Sequence, residues 1–503
     1  MNKSTKRIIL AISLVFIITG SSLAAPESEY TQGDVVVVLK QKIQEEGQVA
    51  LSAVSVAQSF ATVAEAEVKE TYEEISNSKS GVFALLHSDK MDAEEFAEEL
   101  RSNPDVLAAM PNYTVRLAAL PNESEGYFNQ QNCWGMYAVD APTAWDTSTG
   151  SNSVYVAVID SGVDYTNPDI EPNYSAYYSE QYSSQKDING HGTHVAGIIG
   201  AKGNNGLGLV GVNWDVNLIA VNALPSGKGG ISDVIKALNF VTGLIKDGVN
   251  IKAVNLSIEV YINLKPTYSN LQNNPFWRAF KALDDLNQAV IVVAAGNNGI
   301  NIGEYSSSSG GYVYPASFTN LNNMISVAAL NQGSQIASFS NKGADVAAPG
   351  SAILSTYLQS NTSYVQDDGV SLRAINGTSM AAPFVAGAAA LLASINPNLT
   401  AYQIKNILIS GNSYSVSTAA SGEKIFNLSE EITYYNNNKS KIIALTPSAA
   451  ETTEDNDNNS NDNDNDDSNS GDNGGGGGCN GFITGIFAAM IFLPSLVLRK
   501  KSN

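Results

Sequence analysis

Val154-Tyr-Val-Ala-Val-Ile159-Asp160-Ser-Gly162-Val-Asp164 is the stretch on which the fold turns. Residues 154–159 run without polar alternation, as strands buried on both faces of a parallel sheet do. A carboxylate follows at once, and Gly162 breaks the run. Similar runs lie at Leu218–Val221, Ala253–Ser257 and Ala289–Ala295. Helical stretches separate them, at His194–Gly200, Asp233–Lys246, Phe276–Leu286 and Met380–Ser394. Strands alternating with helices predict an α/β domain with a doubly wound, mostly parallel sheet. In such sheets sites form at the carboxyl ends of the strands, which is where Asp160 stands.

The chain around this domain is long, 503 residues, with 43% hydrophobic and 15% charged residues. At about 150 residues per domain it holds more than one unit. A net charge of −21 excludes a nucleic-acid binder that works through a basic face. Two cysteines exclude a disulfide scaffold and a cysteine-based zinc cluster. Residues 26–120 hold 17 acidic against 7 basic side chains, and residues 451–473 hold nine acids and no base. Much of the acidity therefore belongs to segments flanking the α/β domain.

Residues 1–24 have the form of a signal peptide: a basic start, the apolar run Ile8–Ile18, and small residues at the exit. Residues 25–120 read as a small α+β unit of β-α-(β)-β-α-β order, the split-βαβ or ferredoxin-like arrangement. Its strands are placed at Asp34–Leu39, Gly81–Leu86 and Val106–Val115, with helix in 43–66 and a helix Ala93–Arg101 capped by Asp92. The α/β domain occupies 121–445. Residues 446–478, acidic and then glycine-rich, cannot bury apolar area and read as a spacer. In 479–503 an uncharged stretch, Gly481–Leu498, precedes Arg499-Lys-Lys501, as in a membrane-spanning segment with its basic end cytoplasmic. The implied location is the cell envelope surface or the exterior.

Three segments carry chemistry. Asp160 ends a buried strand; Gly190-His191-Gly-Thr-His194 opens a helix; Asn376-Gly-Thr-Ser379-Met-Ala-Ala-Pro383 opens another amid small residues. Serine nucleophilic catalysis needs a hydroxyl, an imidazole to take its proton, and a carboxylate to fix the imidazole's tautomer. The chain has three histidines, and two of them, His191 and His194, share one tetrapeptide. His-x-x-His without a glutamate after the first histidine gives little support for zinc, so His194 reads as structural. His87, in the α+β unit, reads as a satisfied histidine or a pH-sensitive one.

These blocks resemble the signatures of the subtilisin-like serine proteases, in the order Asp, His, Ser. Val292-Val-Ala-Ala-Gly296-Asn297 is similar to the block whose asparagine serves the family's oxyanion hole. The resemblance implies Asp160, His191 and Ser379 as the catalytic triad and Asn297 as an oxyanion donor. It also implies a substrate-binding edge of Ser257, Ile258, Glu259 and Gly296, protein or peptide substrates, and no cofactor for the chemistry. Residues 25–120 resemble the family's propeptide, the chain's own inhibitor, with an autoprocessing junction inside Val115–Asn122. The tail is similar to tripartite bacterial sorting signals with a Gly-Gly-Cys motif, which implies membrane attachment through residues 481–498. A catalytically idle surface scaffold on the same fold is the alternative; the complete triad argues against it.

A structural calcium site is implied at Asp169, with Asn204 or Asn205 from the 202–208 loop as partner; Asn204 is taken here. The chain departs from the family at the substrate edge. Where glycines are usual, it has Glu259 and Val260, which narrow or reshape the pocket and raise the expectation of a basic residue at P1, immediately before the scissile bond.

Overall fold

The computed structural model describes residues 30–41, 52–77, 80–117, 133–173, 175, 186–359, 364–365, 370–410 and 423–447. The signal peptide, spacer and membrane stretch read from sequence lie outside these residues. Among them, a sheet of seven strands runs in the order Lys424–Ile425, Val346–Pro349, Met324–Leu330, Val290–Ala294, Ile251–Leu256, Gly150–Asp160, Asp215–Asn222. Every neighbouring pair is parallel. The four apolar runs of the sequence form its middle and one edge.

Both faces of this sheet are covered. Val156 and Val158 pack with Val292 and Val327 beneath Ala382, Val385 and Ala389 of the helix Thr378–Ile395. Ala157 and Ile159 face the other way, toward Ile235 and Leu238 of the helix Ile231–Lys246 and Phe280 of Pro275–Asp284. Successive side chains of a strand point to opposite faces, so burial on both sides leaves no polar alternation. Thr378–Ile395 is long and apolar enough to cross a membrane, yet it is 89% buried and serves as the core helix.

The N-terminal unit has four antiparallel strands in the order Glu67–Thr71, Val82–His87, Tyr30–Leu39, Val106–Leu117. Helices Ala53–Val63 and Ala93–Ser102 cover one face, burying Val56, Phe60, Phe96 and Leu100 against Val35, Val37 and Leu86. Asp92 caps the second helix, its side chain accepting from Glu95 N at 3.0 Å. This is the split-βαβ arrangement. Its other face presents Val36, Val38, Phe83 and Met110 to the core that contains Ile231–Lys246. Asn112 seals the junction at that helix's first turn: Oδ1 accepts from Ser232 N and Nδ2 donates to Ser232 Oγ, both at 2.7 Å.

The strand Val106–Leu117 continues past its own sheet. It pairs antiparallel with Lys228–Gly230 on one side, through Thr114↔Gly230, Val115↔Gly229 and Arg116↔Lys228. On the other it pairs antiparallel with Ile258–Ile262, through Arg116↔Glu259 and Leu117↔Ile258. The chain thus lays its own segment as the middle strand of a cleft.

Candidate active site

Asp160 is the last residue of its strand and fully buried. Its Oδ1 accepts from His191 Nδ1 and from Ser161 N, each at 2.7 Å. His191 opens the helix His191–Gly200 and is 4% exposed. Gly192 lets this helix press on the strand: a Cβ there would stand 2.1 Å from Gly162 O. With Nδ1–H given to the carboxylate, the neutral imidazole carries its lone pair on Nε2. Nε2 is buried and makes no hydrogen bond to the described residues.

Ser379 is the second residue of Thr378–Ile395. Its N–H is among the first four of the helix, which lack intrahelical acceptors and attract negative charge. The hydroxyl donates to Ser257 O at 3.2 Å, and Ser257 Oγ donates to Ser379 O at 2.9 Å. Asn297 Oδ1 accepts from Thr378 N at 2.9 Å and Thr378 Oγ1 at 3.2 Å. Thr378 Oγ1 in turn accepts from Gly296 N at 3.1 Å. These bonds fix the Asn297 amide by its carbonyl end. Ile258 contributes backbone only, its side chain being fully buried in the core. Glu259 turns to the opposite face, where Oε2 accepts from Asn297 N at 3.2 Å.

Asp187 escaped the sequence reading. It is 1% exposed and accepts five hydrogen bonds. Oδ1 takes Ser161 Oγ, Asn189 N and Gly190 N at 2.9, 2.8 and 2.8 Å. Oδ2 takes Thr193 N and Thr193 Oγ1 at 3.0 and 2.7 Å. Burial pushes its pKa up, and these donors oppose that shift. The carboxylate ties the strand carrying Asp160 to the turn carrying His191. The only available signal was an aspartate three residues before Gly190, which reads as an ordinary turn.

His194 is structural. Its Nε2 lies 2.9 Å from both Ile353 O and Arg373 O. Burial, with a smaller contribution from His191, pushes its pKa down to about 3. A neutral imidazole stapled to two carbonyls is not a metal ligand.

At the expected calcium position, Asp169 is fully buried, and Asn205 rather than Asn204 meets it. Asp169 Oδ1 accepts from Asn205 Nδ2 and Oδ2 from Leu209 N, each at 2.9 Å. Asn204 is exposed, in left-handed backbone at φ 58°. Calcium takes six to eight oxygens. Here both carboxylate oxygens face N–H donors, and no three His, Cys, Asp or Glu side chains gather among the described residues. Asp169 thus fastens the 202–209 loop through these two bonds.

A buried Asp–His pair at the head of one helix and a serine at the head of another packed against it, in that chain order on a parallel sheet, match the arrangement of the subtilisin-type serine hydrolases. Residues 151–427 match the family model described as the subtilase family. The chain is 34% identical over 378 residues to the thermophilic serine proteinase of Bacillus sp. (strain AK1), covering 73% of this chain and 80% of that protein. It is 35% identical over 278 residues to subtilisin Savinase of Lederbergia lenta, covering 55% and 89%. Among solved structures, fervidolysin of Fervidobacterium pennivorans, a keratinolytic enzyme related to subtilisin, shares the fold with a TM-score of 0.59 at 22% identity. That match covers 81% of this chain and 62% of fervidolysin. The chain belongs to the subtilase family and is a subtilisin-type serine endopeptidase.

Proposed function

We propose that this enzyme is made as an exported zymogen that cuts itself, and that Asp160, His191 and Ser379 do the cutting. The observation that carries the reading is the Asp160–His191 hydrogen bond of 2.7 Å, with His191 opening a helix that packs against the one Ser379 begins. In the reaction the Ser379 hydroxyl turns from Ser257 O to His191 Nε2, gives up its proton there, and attacks the scissile carbonyl. Asp160 holds the imidazolium that results. Asn297 Nδ2 and Ser379 N–H receive the oxyanion. His191 then returns the proton to the leaving amine, and water resolves the acyl-enzyme by the same steps in reverse. Every proton has a place on these side chains.

Residues 25–120 act as propeptide and inhibitor. What supports this is the antiparallel pairing of 114–117 with Lys228–Gly230 and Ile258–Ile262, together with Asn112 and the shared core. The pairing ends at Leu117↔Ile258, one step short of Ser257, whose carbonyl meets the Ser379 hydroxyl, so by count along the sequence we take residue 118 as P1. The proposed junction is therefore Ala118–Ala119. Residues 1–24 direct export, and residues 481–498 hold the enzyme at the envelope before or during sorting.

Mass spectrometry of the purified wild-type chain beside its Ser379→Ala variant tests this. Wild type is expected to lose the propeptide and begin at Ala119, with the variant keeping it. Both chains staying full-length would defeat the self-processing reading.

A further inference from the structure

We propose that Glu259 sets the substrate preference, selecting a basic residue at P3, third before the scissile bond, and a small residue at P1. The proposal rests on the protease reading and on the register above. In the strand Ile258–Ile262, Ile258, Val260 and Ile262 are buried in the core, and Glu259 and Tyr261 face the other way, partly exposed. Glu259 Oε2 accepts from Asn297 N at 3.2 Å. It also stands 2.9 Å from where a Cβ on Gly296 would be. The carboxylate therefore lies along the Gly296–Asn297 backbone, next to the oxyanion residue, and takes up room that a large P1 side chain would need.

The pairing Arg116↔Glu259 makes residue 116 the P3 position when Ala118 is P1. Directly opposed residues of an antiparallel pair share a face with Cβ atoms about 4.5–5.5 Å apart. A substrate's P3 side chain thus emerges beside Glu259, and the chain's own segment carries arginine at P3 and alanine at P1. Lys228 opposes residue 116 from the other side and would repel a basic group. It is exposed on a flexible stem, where water and salt screen it. Glu259 is partly buried and tethered to a backbone amide, so its attraction is screened less and prevails. This moves the basic requirement from P1 to P3.

The test uses the wild-type enzyme, matured from the full chain, and quenched peptides that differ only at P3 (Arg, Gln, Glu) or only at P1 (Ala, Lys). Wild type is expected to favour Arg over Gln at P3 by about fivefold in kcat/KM, in line with a partly screened ion pair. Glu should be cut more slowly than Gln, and Ala at P1 should be cut faster than Lys. In Glu259→Gln the Arg-to-Gln ratio should fall to near one, and in Lys228→Gln it should rise. Equal cleavage of Arg and Gln at P3, or Lys preferred over Ala at P1, would overturn the inference and leave the protease reading standing. Failure to cut any peptide would remove both. The wild-type series decides the matter even where a variant does not mature.

Discussion

Replacing Asp187 with alanine tests how the site is held together. The substitution strands the buried N–H groups of Gly190 and Thr193, while the hydroxyls of Ser161 and Thr193 can turn to other acceptors. A buried donor left unsatisfied costs about 1–3 kcal/mol. Two such donors therefore cost about 2–6 kcal/mol. Relief of a carboxylate that burial already disfavours returns part of this, since its pKa is pushed up rather than down. A net loss of about 2–4 kcal/mol follows, or roughly 4–16 °C in Tm at about 2–4 °C per kcal/mol for a large domain. Tm is best read in the Ser379→Ala background, where self-cleavage cannot confuse the scan. Activity should fall as well, because Gly190 and Thr193 bracket His191 and a displacement of about 1 Å costs on the order of 10²-fold. At a temperature where Asp187→Ala is fully folded, kcat/KM should drop at least tenfold by this reasoning. Asp187→Asn, which keeps the shape but turns an NH2 toward donors, should fall between. A Tm within about 2 °C of wild type, together with full activity, would refute the claim that this carboxylate organises the catalytic turn.

Asn297→Ala should lower kcat with little change in KM, by the ~10²–10³ known for the same side chain in subtilisin itself rather than worked out from this structure; steady-state kinetics check it. His194, held neutral with its pKa near 3 against an ordinary 6.5, makes the fold acid-sensitive. The unfolded chain takes up a proton below about pH 6.5 that the folded one refuses, so stability is complete above that value and falls by up to about 1.4 kcal/mol per pH unit below it. Urea titrations at pH 7 and 5 should show this, and a His194→Gln chain should lose the slope. In the N-terminal unit, Asp89 and Asp34 hold His87 at 2.9 and 2.7 Å and push its pKa up, against burial and Lys69. Its stabilising effect is full below pH 6.5 and fades as pH rises through the raised value. The Tm gap between Ser379→Ala chains with and without His87→Gln should therefore narrow from pH 5.5 to 8. Gly192→Ala should abolish maturation, because the new methyl meets Gly162 O, a backbone atom that cannot swing away; blotting for the uncut chain reads this.

The parts of the fold that were legible in the sequence have strong local signatures. Val154–Ile159 and Ala289–Ala295 announce a doubly buried strand because every residue must avoid water. Asp92 announces its helix by a cap that spans three residues. Met324–Leu330 and Val346–Pro349 were missed as strands. The first is diluted by serine and alanine and the second ends in proline, and they become strands only through their neighbours in the sheet. Lys424–Ile425 is two residues long and has no period to read.

The site divides along the same line. Asp160, His191 and Ser379, the proposed triad, each sit inside a tight local motif with small residues that close packing requires. Asp187 was not legible, since four of its five donors lie just after it, as for any turn former, and only Ser161, 26 residues away, sets it apart. Glu259 lies between these cases. Its identity stood out against the glycine expected there, but which substrate position it meets depends on a register between segments more than 140 residues apart in sequence. Continuing a carboxylate's charge straight into the nearest pocket leads to a basic P1. In the register we propose, Arg116↔Glu259 assigns that charge to P3 and makes the Glu259 side chain the reason for a small P1.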